Sequence, residues 1–202
     1  MIQSESNVQI NELIKLQKNA RERKKKKLFV AEGMKLTKEA AFHGKLKKIY
    51  IAQDVYEHRE RELDDFLAKQ DYEVVDTKIF RQAAQTVTPQ GMLALVEVPE
   101  YSVDTLLCDP KRSFLLLDDL RDPGNLGTIM RTAEGAGMSG VILSRESVDL
   151  FNPKVVRATM GAIFRVPFYY ADDLIEVIER LKAKQIPVYG TMMQGSEVYD
   201  PL

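Results

Sequence analysis

The chain has 202 residues, 45% of them hydrophobic and 29% charged, with a formal net charge of −1. That length supports one large domain or two small ones with real cores, and no apolar run reaches the ~18 residues that would cross a membrane as a helix. The opening "MIQSESNVQINEL" has no apolar signal core. The single cysteine, Cys108, excludes an internal disulfide and a cysteine-built metal cluster, so the expectation is a cytoplasmic protein with no metal site.

Apolar positions at Val8, Leu13, Ile14 and Leu16 predict a helix over 7–20. The run "RERKKKK" follows, with Arg21, Arg23, Lys24, Lys25, Lys26 and Lys27; Lys45, Lys47 and Lys48 come later. Residues 1–50 hold 13 Lys and Arg against five Asp and Glu, and the rest of the chain holds 16 against 25. A basic cluster of this kind suits an RNA backbone, because each neutralised phosphate releases counterions. It equally suits a solvated helix end that only keeps the protein soluble. Strands are predicted at 28–33, 48–52, 72–76 and 92–98, and helices at 34–44, 57–69 and 78–85. This alternation gives a compact α/β unit over 1–98. Residues 99–112, with Pro near both ends, read as a linker. A second alternation over 113–202 has strands at 113–118, 140–144 and 186–191, a shorter extended piece near 164–169, and helices at 125–136, 153–161 and 172–184. The apolar runs "FLLL" and "GVIL" indicate a parallel sheet covered on both faces.

In such sheets ligands bind beyond the carboxyl ends of the strands. Asp122-Pro123-Gly124-Asn125 is turn chemistry leading to a helix cap at one such end. Arg131 follows two turns later, above the small residues Gly127 and Thr128, which would leave room for a ligand. Geometry leaves two readings of Arg131: a guanidinium facing a cleft, or a surface pair with Glu134 at i, i+3. "GAGMSG" (135–140) has the spacing of a dinucleotide fingerprint, but a helix precedes it and a strand follows, the reverse of the required order. Asn152-Pro153 marks another helix start, with Lys154 and Arg157 on its polar side.

Two stretches then carry a resemblance. "LLLDDLRDPGNLGTIMRTAEGAGMSGVIL" and "DLFNPKVVRATMGAIFRVPF" resemble the first and second motifs of the SpoU-type (TrmH-like) RNA ribose methyltransferases of the SPOUT superfamily. "KKKKLFVAEGMKLTKEAAFHG" and "TVTPQGMLALVEVP" resemble the L30e-like substrate-binding domain often fused ahead of that catalytic domain. The resemblance implies an α/β protein with an N-terminal L30e-like domain and a C-terminal parallel-sheet SPOUT (α/β knot) domain. It also implies methyl transfer from S-adenosylmethionine to a ribose 2′-hydroxyl of structured RNA, ribosomal RNA in preference to transfer RNA, by a homodimer. Carried over by motif position, Arg131 is the catalytic arginine and Asn125 its partner near the ribose. Asn152 and Arg157 help shape the RNA and cofactor side of the cleft, while the basic residues Arg23, Lys24, Lys25, Lys26 and Lys27 remain the RNA-backbone candidates on their charge alone. Thr191, Met192 and Gly195 belong to the cofactor wall. A guanidinium, with a pKa above about 12, is a poor free base. The expected role of Arg131 is therefore to fix a phosphate and to stabilise the developing oxyanion.

The family pattern continues with a Gly-Glu-Gly-type loop and a Ser-Leu-Asn stretch, neither of which occurs before Leu202. The expectation is a domain truncated before its knot is completed, with an incomplete cofactor site. The alternative is a non-catalytic RNA-binding protein.

Overall fold

The computed structural model describes residues 1–108 and 113–191. The N-terminal half begins with helices α1 (Val8–Lys18) and α2 (Ala20–Lys26). Asn7 and Asn19 cap them, each accepting from a backbone amide two residues on. The helix predicted over 7–20 is thus α1, and the lysine run forms a second helix that ends at Lys27 in the left-handed region (φ 54°). Strand β1 (Leu28–Glu32), α3 (Met34–Phe42), β2 (Leu46–Ala52), α4 (Gln53–Glu57), α5 (Arg61–Leu67), β3 (Tyr72–Val75), α6 (Thr77–Ala83) and β4 (Met92–Glu97) follow. The sheet order is β1-β4-β2-β3, antiparallel except for the β2–β3 pair.

Residues 99–108, read as linker, are instead partly a packed helix. In α7 (Val103–Leu107), Val103, Leu106 and Leu107 are buried against Ile142, Ala171, Val177 and Leu181. The apolar spacing is enough for one turn and a half, and the neighbouring sheet supplies a surface to bury it.

The second half has β5 (Phe114–Leu117), α8 (Pro123–Gly135), β6 (Gly140–Ser144), α9 (Pro153–Ala158), a 3-10 turn at Ala162–Phe164, β7 (Phe168–Ala171) and α10 (Leu174–Ala183). Its three strands are all parallel in the order β5-β6-β7, with Leu115 beside Val141 and Val141 beside Phe168. Central β6 is buried throughout, whereas edge strand β5 is only half-buried. The short extended piece expected near 164–169 is a full strand, starting at Phe168. The strand expected at 186–191 is absent: this segment joins neither edge of the sheet, and residues 187–191 are exposed. Pro187 removes one ladder donor, and Gln185 at φ 60° closes α10 with the Ile186 amide donating to the Leu181 carbonyl.

The glycines of "GAGMSG" serve as punctuation. Gly137 (φ 65°) ends α8, and Gly140 lies close under Leu106, where an added Cβ would come within 2.9 Å of Leu106 Cδ2. One apolar cluster joins the halves. Phe29, Ala31, Ala94 and Val96 of the first sheet pack with Leu126, Met130, Val155 and Phe164 of the second unit. The ring of Phe29 lies 4.9 Å from that of Phe151.

Candidate active site

The carboxyl edge of the parallel sheet is tied together by two buried serines. Ser144 Oγ accepts from the Asp119 amide at 2.8 Å, and Ser147 Oγ accepts from the Leu120 amide at 3.1 Å. The Val148 amide donates to the Leu120 carbonyl at 2.7 Å. The loops after β5 and β6 therefore form one unit. Tyr170 of β7 joins it, donating to the Val148 carbonyl and accepting from the Leu150 amide. Burial raises the Tyr170 hydroxyl far above the ordinary tyrosine value. Asp119, at φ 46°, is paired with Arg121, and the guanidinium holds its carboxyl below the usual range.

Helix α8 starts from this edge two residues earlier than its spacing predicts. Asp122 is the cap: its Oδ1 accepts from the Asn125 amide at 2.7 Å, and Pro123 occupies the first turn. Asn125 is therefore in the first turn rather than at the cap, and its side chain is exposed. Asn152 caps α9, its Oδ1 accepting from the Lys154 amide at 2.9 Å. That oxygen is committed to the helix end.

Gly127 makes room for α9, not for a ligand. A Cβ there would lie 2.9 Å from the Ala158 carbonyl carbon and closer still to its Cβ. Arg131 stands one turn beyond Gly127 on α8, and Arg157 directly precedes Ala158 on α9. The close approach therefore sets the segments bearing the two guanidiniums side by side. Both residues are exposed, and neither side chain has a hydrogen bond or ion pair among the described residues. The surface pair of Arg131 with Glu134 does not form. Glu134 is held by Arg165, which also pairs with Glu39 of α3.

The basic run divides in the same way. Arg23, grouped by sequence with the RNA-facing residues, is 5% exposed and bonded to Asp149, so its guanidinium is withdrawn from solvent. Sequence periodicity gave no sign of this, because the partner lies 126 residues away. Lys26 pairs with Glu12 and Lys27 with Glu100. Lys24 and Lys25 are exposed and unpaired among the described residues. Thr191 is exposed and does not close a strand. Met192 and Gly195 lie outside the described residues, and no group of three or more His, Cys, Asp or Glu placed to hold a metal occurs within them.

The architecture places the chain in a class first. It superposes with a TM-score of 0.77 on the SpoU methyltransferase AviRb from Streptomyces viridochromogenes in complex with AdoMet, at 22% identity, over 89% of this chain and 68% of that one. The AdoMet-bound rRNA methyltransferase from Sinorhizobium meliloti gives a TM-score of 0.73 at 30% identity, over 88% of this chain and 67% of that one. In sequence, residues 112–201 match the SpoU rRNA Methylase family and residues 7–94 the MRM3-like substrate binding domain. The 23S rRNA (guanosine(2553)-2'-O)-methyltransferase RlmP of Bacillus subtilis (strain 168) is 32% identical over 203 residues, spanning all of this chain and 77% of that protein. Mitochondrial rRNA methyltransferase 3 of Homo sapiens is 33% identical over 178 residues, 83% of this chain and 38% of that protein. The chain belongs to the SpoU rRNA methylase family.

Proposed function

We propose that this protein transfers a methyl group from S-adenosylmethionine to a ribose 2′-hydroxyl of ribosomal RNA. The observation that carries the reading is the Gly127–Ala158 contact. It brings together the helices α8 and α9, which leave the carboxyl edge of the parallel sheet and carry Arg131 and Arg157, both exposed and without an ion pair among the described residues. Exposed arginines in such a place suit an RNA phosphate. The family membership and the AdoMet-bound relative support the same chemistry.

S-adenosylmethionine supplies an activated methyl carbon and a neutral thioether leaving group; Thr191, Met192 and Gly195 would hold it. The chain's own residues must orient the hydroxyl and ease the loss of its proton. Arg131 fixes the phosphate beside the target ribose and stabilises the oxygen as negative charge develops on it. Asn125 offers an amide close to the same edge. Arg157, and Asn152 through its remaining amide protons, bound the RNA side, and Lys24 to Lys27 hold the backbone further out. The active unit is a homodimer in the cytoplasm, with each cleft completed by its partner, and sedimentation of the purified chain tests that state.

The reading is tested with tritiated S-adenosylmethionine and unmodified ribosomal RNA, followed by nucleoside analysis. The expected product is a 2′-O-methyl nucleoside; label on a base, or RNA binding without incorporation, overturns the reading. Changing Lys24 to Lys27 together to Ala should weaken RNA binding and flatten its dependence on salt, each lost phosphate contact removing about 0.9 from the log–log slope for a duplex. An unchanged slope removes the lysines from the interface.

A further inference from the structure

The lysine helix α2 and the loop that opens α9 are joined by one buried guanidinium. Arg23 Nε and Nη2 donate to Asp149 Oδ2 at 2.9 and 2.6 Å. Its Nη1 donates to the carbonyls of Leu16 and Gln17 at 2.5 and 3.2 Å. All three nitrogens are engaged, in a forked geometry that lysine cannot reproduce. Asp149 acts on the other side as well. Its Oδ1 accepts from the Phe151 amide at 2.9 Å, and its carbonyl accepts from the Asn152 amide at 3.0 Å. One carboxylate therefore grips the basic helix and shapes the turn that delivers the cap of α9. The Phe151 ring, seated on Phe29 of β1, braces that turn from its apolar side.

Such a pair is a weak net stabiliser, since desolvation offsets much of its attraction, and its best-attested use is to specify an arrangement. The arrangement here is the one between the exposed Lys24 and Lys25, next to Arg23 in α2, and the loop and helix carrying Asn152 and Arg157. Phosphate contacts give register and orientation rather than sequence choice. A lysine cluster on a loose tether would supply affinity without orientation. We propose that Arg23 and Asp149 are positioning residues, setting the register between the lysines that grip RNA and the α9 loop at the cleft, so that bound RNA arrives with its ribose in place. The proposal rests on the methyltransferase reading above.

Asp149→Asn tests it, because the variant loses the charge and keeps the Oδ1 bond to the Phe151 amide. RNA affinity and its salt slope should stay within about twofold of the wild type, the lysines being untouched. Meanwhile kcat should fall at least roughly tenfold, as small misplacements of reactants do. A wild-type kcat overturns the proposal, and so does an equal loss of kcat and RNA affinity. Arg23→Lys carries the same readouts should Asp149→Asn fail to fold. Hydrogen exchange decides independently of turnover. Adding ribosomal RNA should slow exchange of the Phe151 and Asn152 amides in the wild type and not in Arg23→Lys; no slowing in the wild type, or equal slowing in both, overturns the link. If the wild type binds RNA but transfers no methyl group, the methyltransferase reading fails and the exchange result still decides the coupling.

Discussion

At the contact between the two halves, Arg23 and Arg165 commit their guanidiniums to the chain's own groups, Asp149 with two carbonyls in one case and Glu39 with Glu134 in the other. On α8 and α9, Arg131 and Arg157 are exposed and meet no such partner among the described residues. The same side chain thus has two uses in one molecule. Where three acceptors of the chain converge, the arginine ties distant segments together, and at Arg23 its removal leaves two buried carbonyls without their donor. Where none converge, its donors remain for a ligand.

The sharpest way to break this contrast is Arg131→Ala. Methyl transfer should fall by roughly two to three orders of magnitude or more, the scale of losing a preorganised oxyanion donor, while thermal unfolding stays at the wild-type midpoint. Normal transfer by the variant would remove Arg131 from the mechanism. Arg23→Met should do the opposite to the fold, lowering stability by about 3 kcal/mol in urea titration because Asp149 and two carbonyls lose their donor. A change near zero would mean that water replaces the guanidinium and that the contact is not structural.

Gly127→Ala sharpens the comparison by moving the two motif helices apart without touching an arginine. The overpacked Cβ should cost about 1–3 kcal/mol and depress kcat beyond what the stability loss explains. Tyr170→Phe should act least, at about 1–2 kcal/mol, since the Leu150 amide loses its acceptor. It also carries a pH signature. The folded-state pKa of Tyr170 lies above the unfolded value of about 10, so its contribution is present below pH ~10 and is lost as pH rises above it. The variant should therefore lose less of its own stability on alkaline titration than the wild type does.

The N-terminal half was legible nearly element by element, because short strands and helices alternated with clear glycine stops such as Gly33 and Gly44. Helix α2 was missed: the predicted helix over 7–20 is α1, and Asn19 caps a second helix in the lysine run to which no element had been assigned. In the second half, β5, β6 and α8 were readable from their apolar runs and the Pro-Gly turn. The predicted strand at 186–191 was an error of context. Its β-favouring residues pair with no strand among the described residues, and β-propensity carries little weight without a partner. Linker residues 103–107 were misjudged for the converse reason, since a short apolar segment becomes a helix once a sheet face is there to bury it.

By itself the sequence determined the family, the order of the two units and the candidates Asn125, Arg131, Asn152 and Arg157, because motif residues, turn chemistry and apolar period are local properties of the chain. Only the tertiary structure decided which charges are available. Arg23 left the basic run to bind Asp149, Glu134 went to Arg165 instead of Arg131, and Gly127 became the seat of α9. Each of those outcomes depends on groups 31 or more residues apart. Their meeting is set by the packing of distant segments, across the two halves for Arg23 and Asp149 and within the second half for the other two, which no local pattern encodes.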